Sequence, residues 1–128
     1  MSSTAAPERG VAVVTGGSAG IGKAICHDLL EGGWSVVSLA RRPTDIAHAR
    51  LHSIEVDLSD RGATAQAVAE VASRWQVTTV VHNAGVIRAA LLPQVQLTDL
   101  DALVDLHLGC AVQLVQAALP AMRAAGFG

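Results

Sequence analysis

A glycine-rich turn between an apolar run and a helical pattern constrains this chain more than any other feature. Residues 11–14 are all apolar and mostly valine, which is typical of a strand that is buried on both faces. Gly16, Gly20 and Gly22 follow, and a helical pattern begins within the same turn. Glycine permits positive φ and lets an anion approach the backbone, where the free N–H groups of the next helix attract it. The sequence therefore predicts a strand–turn–helix unit that cradles a phosphate.

The rest of the chain alternates short apolar runs with amphipathic segments. Further strands are predicted over residues 36–39, 54–56 and 77–81. Because strands that alternate with helices form parallel sheets with right-handed crossovers, we expect a Rossmann-like, doubly wound α/β fold. The expected sheet is partial: it has four strands in the order 3-2-1-4 and ends before a fifth strand.

The helices are predicted from apolar spacing. The first helix should bury Ile21, Ile25 and Leu29 and end at the glycine pair 32–33. Ser59 or Asp60 should cap the second helix. Its predicted buried residues are Val68, Val71, Ala72 and Trp75.

A long helix is expected over residues 98–125, beginning at Thr98. It is apolar on nearly every side, so we expect it to be buried on more than one face. One predicted stripe consists of Leu100, Leu103, Val104, His107, Ala111, Leu114, Val115 and Ala118.

Composition limits the class of protein. A chain of 128 residues suits one domain, and with 51% apolar and 16% charged residues it should be globular rather than disordered. We expect a flexible tail over residues 1–9 and a domain over residues 10–128 that is incomplete at its C-terminal end. The net charge of −2 and the scattered basic residues argue against a nucleic-acid partner.

The expected setting is cytoplasmic. We expect no membrane helix, because no run of about 18 apolar residues is present. Residues 1–9 lack the apolar core of a secretory signal. Cys26 and Cys110 lie in apolar helical patterns and are predicted to be buried thiols in a reducing compartment. His27, His48, His52 and His82 show no metal-ligand spacing with the cysteines or acids, so no metal site is predicted.

A nucleoside-triphosphate site is a competing interpretation of the glycine turn. Gly17, Gly22 and Lys23 match most of the G-x-x-x-x-G-K-[ST] pattern. Ala24 stands at its last position and lacks the hydroxyl that would hold magnesium. Asp57 is the one weak candidate for the acidic strand end that such a site needs. This alternative is therefore the less favoured one, and Lys23 is expected to be solvated.

Three short motifs follow predicted strands. Residues 15–22 read T-G-G-S-A-G-I-G after the first strand, residues 57–58 read D-L after the third, and residues 83–85 read N-A-G after the fourth. In these motifs the chain resembles the short-chain dehydrogenase/reductase family. The resemblance extends over essentially the whole chain and covers the N-terminal, cofactor-binding half of that family.

The resemblance implies a set of residues that bind a nicotinamide dinucleotide. Asp57 would hold the adenine, with capping of the next helix as its alternative role, and Asn83 would brace the sheet and contact a ribose. Ser18 and Ile21 would approach the cofactor through hydroxyl and backbone groups. The complete implied set is Thr15, Gly16, Ser18, Gly20, Ile21, Gly22, Arg41, Arg42, Asp57, Leu58, Asn83, Ala84 and Gly85.

The end of the second strand favours NADP(H) over NAD(H). Ala40 stands where NAD-preferring relatives place an acid, and Arg41 and Arg42 follow it. An acid there binds a ribose 2′-OH, whereas an arginine can bind a 2′-phosphate through two hydrogen bonds. Ala19 replaces a basic residue that many NADP-dependent relatives carry in the turn. The alternative is that both arginines belong to a solvated loop.

The family's catalytic residues are Asn, Ser, Tyr and Lys, and this sequence does not supply the full set. It contains no tyrosine, and its single lysine is Lys23 in the glycine turn. His107 stands at the position of the Asn on the long helix. We predict for His107 either a weak catalytic role or the role of a packed core histidine.

Two function hypotheses from different classes remain. The first is an NADP(H)-dependent oxidoreductase acting on a small-molecule carbonyl or alcohol, with this chain as its cofactor-binding half, inactive alone. The second is a non-catalytic nucleotide-binding or interaction protein. The resemblance also implies a homo-oligomer formed through helix 98–125, because in that family this helix commonly packs against its twin in a dimer, and an exposed apolar helix invites association.

Overall fold

A parallel β-sheet organises residues 9–128, the part of the chain that the computed structural model describes. Its strand order is β3-β2-β1-β4, and every neighbouring pair is parallel, which confirms the predicted sheet. The strands are β1 (Gly10–Thr15), β2 (Trp34–Ala40), β3 (Leu51–Glu55) and β4 (Val77–His82). The helices are α1 (Gly20–Glu31), α2 (Arg61–Arg74), α3 (Leu97–Val104) and α4 (Cys110–Ala125), with a 3₁₀ turn at Leu92–Gln94.

The sheet is covered on both faces because successive strand residues point in opposite directions. Val13 packs in a cluster with α2 and α4, while its neighbour Val14 packs in a cluster with α1. Residues 12–14 are completely buried, in agreement with the uninterrupted apolar run of β1. The fold class is therefore the predicted doubly wound α/β arrangement.

The buried positions of α1 lie one residue later in the chain than predicted, and Ile25 and Leu29 of the prediction are partly buried against the same cluster. Gly22, Cys26 and Leu30 are its buried residues, whereas Ile21 is 75% exposed. The sequence pattern missed this face because its first contact is a glycine, which does not count as apolar. The helix ends at Glu31 and the chain turns through Gly33 at φ 94°, as the glycine pair predicts.

The long helix begins at Leu97 rather than Thr98, and Asp105–Gly109 forms one π-helical turn between α3 and α4. Thr98 is thus inside the helix, and the N-cap is Gln96, with no side-chain cap bond. The buried stripe is Leu106, Cys110, Leu114 and Ala118. Leu100, Val104 and Val115 of the predicted stripe are exposed, and α3 contains no buried residue.

Three other expectations concern particular segments. Residues 1–8 of the predicted tail lie outside the described residues; the backbone N–H of Arg9 donates to the carbonyl of Gly33 at 3.0 Å. Both cysteines are free and buried, as predicted, and burial raises the pKa of the Cys110 thiol to about 11. Among residues 9–128, the helical span Leu97–Ala125 is long and apolar enough to cross a membrane by length and composition alone, which differs from the expectation of no such helix.

Asp60 caps α2, as one of the two sequence alternatives predicts. Its side chain accepts a hydrogen bond from the backbone N–H of Ala63 at 3.0 Å. Replacing Asp60 by alanine leaves that N–H without its acceptor and should lower the free energy of unfolding by about 1 kcal/mol. Asp60→Asn keeps an acceptor and should stay close to the parent chain in urea denaturation. Equal losses in the two variants would contradict the capping role.

Candidate functional site

A cleft of about 380 Å³ lies at the carboxyl edge of the sheet. Parallel strands place their carboxyl ends on one edge, where ligands of open α/β sheets bind. The walls come from the glycine turn, from the segments after β2, β3 and β4, and from the long helix. Predicted site residues in the lining are Gly16, Ser18, Arg41, Arg42, Asp57, Leu58, Ala84 and Gly85. The structure thus brings together residues from four separate segments of the sequence.

The glycine turn depends on backbone conformations that favour glycine. Gly16 and Gly20 have φ of 70° and 55°, in the left-handed region. Gly22 has ordinary φ but is buried, and a Cβ atom there would overlap the carbonyl oxygen of Gly16. The first turn of α1 therefore lies directly against the end of β1. This contact aims the N-terminal N–H groups of α1 at the turn.

The remaining predicted residues lie behind the cleft or beside it. Thr15 is completely buried, and its Oγ1 accepts from the backbone N–H of Ala84 at 3.0 Å. Asn83 donates from Nδ2 to the carbonyl of Gly16 at 3.3 Å. Both side chains join the glycine turn to the segment after β4. They support the site from behind, and Gly20, Ile21 and Gly22 lie outside the cleft lining as well.

Asp57 is held ionised at the mouth of the cleft. Its Oδ1 accepts from the hydroxyl of Ser59 at 2.6 Å and from the Ser59 backbone N–H at 3.0 Å. These two hydrogen bonds, with smaller contributions from the positive charges of Arg41 and Arg88, lower the pKa of Asp57. Because Asp60 caps α2, the alternative capping role for Asp57 is wrong.

Arg41 and Arg42 lie exposed on the cleft wall, just after β2. The loop that follows them is anchored: the Thr44 hydroxyl donates to Ser38 Oγ at 2.8 Å. Lys23 forms an ion pair with Asp45, 2.6 Å from Nζ to Oδ1, so it also ties α1 to this loop rather than being simply solvated. The arginines therefore project from a fixed loop.

His107 is exposed, so its predicted role as a packed core histidine is wrong. It lies in the π turn, and its Nε2 is 3.1 Å from the carbonyl oxygen of Val86. The ring also lies against Gly85, where a Cβ atom would come within 2.8 Å of His107 Cε1. The π turn thus directs this side chain onto the segment after β4. A catalytic role for His107 stays a prediction.

The sequence does not predict two features of the cleft and one group of side chains outside it. Arg88 lines the cleft and faces Asp99 at 3.6 Å, but no motif marks it. Ser59 is predicted only as a helix cap, but it donates its hydroxyl hydrogen to Asp57. An Asp two residues before a Ser is a known signal for such a turn. His27, Asp28 and Glu31 bring possible ligand atoms within 4.8 Å of one another on the exposed side of α1, and their spacing along a helix could have indicated this group.

The comparisons with known proteins agree with this geometry. The sequence profile of the short chain dehydrogenase family matches residues 10–128. A probable NADP-dependent dehydrogenase of Haemophilus influenzae is 33% identical over 126 residues, which cover 91% of this chain and 50% of that protein. The chain therefore belongs to the short chain dehydrogenase family.

Solved structures of the family superpose on the whole described fold. A short-chain dehydrogenase from Streptomyces avermitilis is 30% identical with a TM-score of 0.83. The match covers 100% of this chain and 48% of the Streptomyces chain. A metagenomic short-chain oxidoreductase in complex with NADP is 33% identical, also with a TM-score of 0.83. The match covers 95% of this chain and 60% of the oxidoreductase chain. The chain thus spans about half the length of the relatives that it matches.

The contact at Gly22 predicts a sharp difference between two glycines. Gly22→Ala forces a methyl group against the Gly16 carbonyl and should lower the free energy of unfolding by about 1–3 kcal/mol. Gly62→Ala is the matched control, since it lies within α2 and its Cβ would meet only Asp60 Oδ1 at 3.5 Å. It should raise stability by about 0.5–1 kcal/mol. Urea denaturation of both variants checks this, and two losses of equal size would contradict it.

Proposed function

We propose that this chain is the cofactor-binding half of an NADP(H)-dependent oxidoreductase that acts on a small-molecule carbonyl or alcohol. The observation that carries the proposal is the shared cleft of the glycine turn, Asp57 and the arginine pair. The Haemophilus influenzae relative is described as NADP-dependent, and the metagenomic oxidoreductase was solved with NADP, which supports the proposal. We further propose a cytoplasmic setting, supported by the two buried free thiols.

The residues of the cleft fit a dinucleotide. The glycine turn leaves room for a pyrophosphate against the backbone and offers helix N–H groups to it. Asp57 is an ionised acceptor for an adenine amino group. Leu58, which is buried beside it, and Ala84 on the opposite side supply apolar surface. When bound, the cofactor would supply hydride to a carbonyl or accept it from an alcohol, and this chain's residues would hold and orient it.

The preference for NADP(H) over NAD(H) rests on Arg41 and Arg42. Both line the cleft, and neither takes part in an ion pair among residues 9–128, so their guanidinium groups are available to an anion. Buried Ala40 precedes them, and no carboxylate stands at that position to repel a 2′-phosphate. A phosphate accepts bidentate hydrogen bonds from arginine, which makes Arg41 the residue expected to distinguish the two cofactors.

The proton-transfer step is the part of the reaction that this chain does not provide. The 128 residues contain no tyrosine, and Lys23 is engaged by Asp45. We propose that His107, directed onto Val86, has at most a minor role in catalysis. The second candidate function, a non-catalytic nucleotide-binding or interaction protein, is favoured by the same lack of tyrosine. The triphosphate alternative is weakened because Lys23 points to the loop rather than lining the cleft.

Arg41→Gln tests the cofactor preference by fluorescence titration with NADPH and NADH. Loss of a charge-assisted contact should weaken NADPH binding about tenfold to a hundredfold, while NADH binding changes little. Arg123→Gln, an exposed arginine at the end of α4, is the control and should change neither affinity. Tenfold tighter binding of NADH than NADPH by the parent chain would contradict the preference. Binding of neither dinucleotide would contradict the proposed function.

We also propose homo-oligomer formation through the exposed side of the long helix. Its exposed apolar residues include Leu97, Leu100, Val104, Leu108, Val112, Val115 and Leu119. Val112→Glu places a charge in the middle of this surface and should shift the chain to monomer in sedimentation velocity. Gln66→Glu, which adds the same charge at an exposed polar position of α2, outside this surface, should leave the assembly unchanged. A parent chain that is already monomeric at high concentration would contradict the proposal.

A further inference from the structure

His82 links three parts of the site, although no cofactor role has been assigned to it. It is the last residue of β4 and pairs with Thr15 across the sheet, so both side chains lie on the same face. Thr15 Oγ1 is 2.8 Å from His82 Nδ1. The other ring nitrogen, Nε2, is 3.0 Å from the carbonyl oxygen of Leu106 in the π turn. The imidazole therefore joins β1 to the long helix.

The directions of these hydrogen bonds follow from their partners. A carbonyl oxygen can only accept, so Nε2 of His82 carries the hydrogen that bonds Leu106. In a neutral ring Nδ1 is then an acceptor, and the Thr15 hydroxyl donates to it. The Thr15 oxygen accepts in turn from the backbone N–H of Ala84 at 3.0 Å. Each donor meets one acceptor, and the chain runs from Ala84 through Thr15 and His82 to Leu106.

This chain of hydrogen bonds connects three parts of the cleft wall. Thr15 directly precedes Gly16 of the glycine turn, and Ala84 and Leu106 both line the cleft. A side chain that bonds a helix carbonyl is one of the causes of local departure from α geometry. The bond from His82 to Leu106 thus falls where the helix takes its π form. A single ring sets the spacing between the glycine turn and the long helix.

We propose that His82 is a positioning residue for the cofactor, held as the neutral tautomer with its hydrogen on Nε2. It acts through Thr15, Ala84 and Leu106 and does not itself contact the dinucleotide. Its effect on the cofactor rests on the proposed function, whereas its tautomer and its hydrogen bonds do not.

Two substitutions separate positioning from simple packing. His82→Leu retains apolar bulk and loses both hydrogen bonds, so NADPH affinity should fall by about tenfold. His82→Asn offers one acceptor and one donor on a planar group and should restore affinity to within about threefold of the parent chain. His48→Leu, at an exposed histidine of the loop after β2, is the control and should bind as the parent does.

Two further measurements on the full chain do not depend on the cofactor. Nitrogen-15 NMR of the imidazoles at mildly alkaline pH should show His82 protonated at Nε2 and not at Nδ1; the opposite tautomer would overturn the proposal. Hydrogen exchange of the Ala84 amide should be faster in His82→Leu than in the parent chain. If His82→Leu does not fold, the tautomer and the affinity of His82→Asn decide.

The outcomes distinguish the two proposals. If the parent chain binds no nicotinamide dinucleotide, the proposed function fails, and the tautomer and the exchange of Ala84 still decide whether His82 holds the turn. If the parent binds NADPH and His82→Leu binds it equally well, the positioning role of His82 is overturned while the proposed function stands. Loss of affinity in His82→Leu without recovery in His82→Asn would also overturn it, because a donor and an acceptor at position 82 would then not account for the affinity.

Discussion

The close approach of Gly22 to the Gly16 carbonyl is the contact on which the rest of the site depends. It places the first turn of α1 against the end of β1, with no side chain between them. The remaining N-terminal N–H groups of the helix can then face a ligand instead of a neighbouring side chain. The hydrogen bond from Asn83 to the same carbonyl adds a second restraint to it. The shape of the glycine turn is thus determined by packing within the chain.

The first two strands could be predicted from the sequence because most of their residues are buried. Every residue from 12 to 15 in β1 is fully buried, so the apolar run and the strand coincide. The buried faces of the helices were harder to predict. The α1 face includes a glycine that apolar counting ignores. The long helix exposes Leu100, Val104 and Val115 of its predicted stripe, and its first part, α3, buries no residue.

The same limit applies to the site residues. The three motifs could be found because their residues are adjacent in sequence, and each follows a strand. His82 and Arg88 could not, because their partners are distant: His82 bonds Thr15, 67 residues earlier, and Leu106, 24 residues later. Such contacts depend on the register of β1 with β4 and on the path of the long helix. A single sequence predicts which strands pair but not which side chains then meet across them.

Charge in the cleft is arranged so that the acid and the bases do not cancel. Asp57 is hydrogen-bonded by Ser59, and the charges of Arg41 and Arg88 contribute less to lowering its pKa. Arg88 faces Asp99, whereas Arg41 and Arg42 form no ion pair at contact distance among the described residues. A ligand that places an amino group near Asp57 and a phosphate near Arg41 satisfies both. The proposed preference for NADP(H) uses this arrangement, because its adenosine carries a 2′-phosphate that the adenosine of NAD(H) lacks.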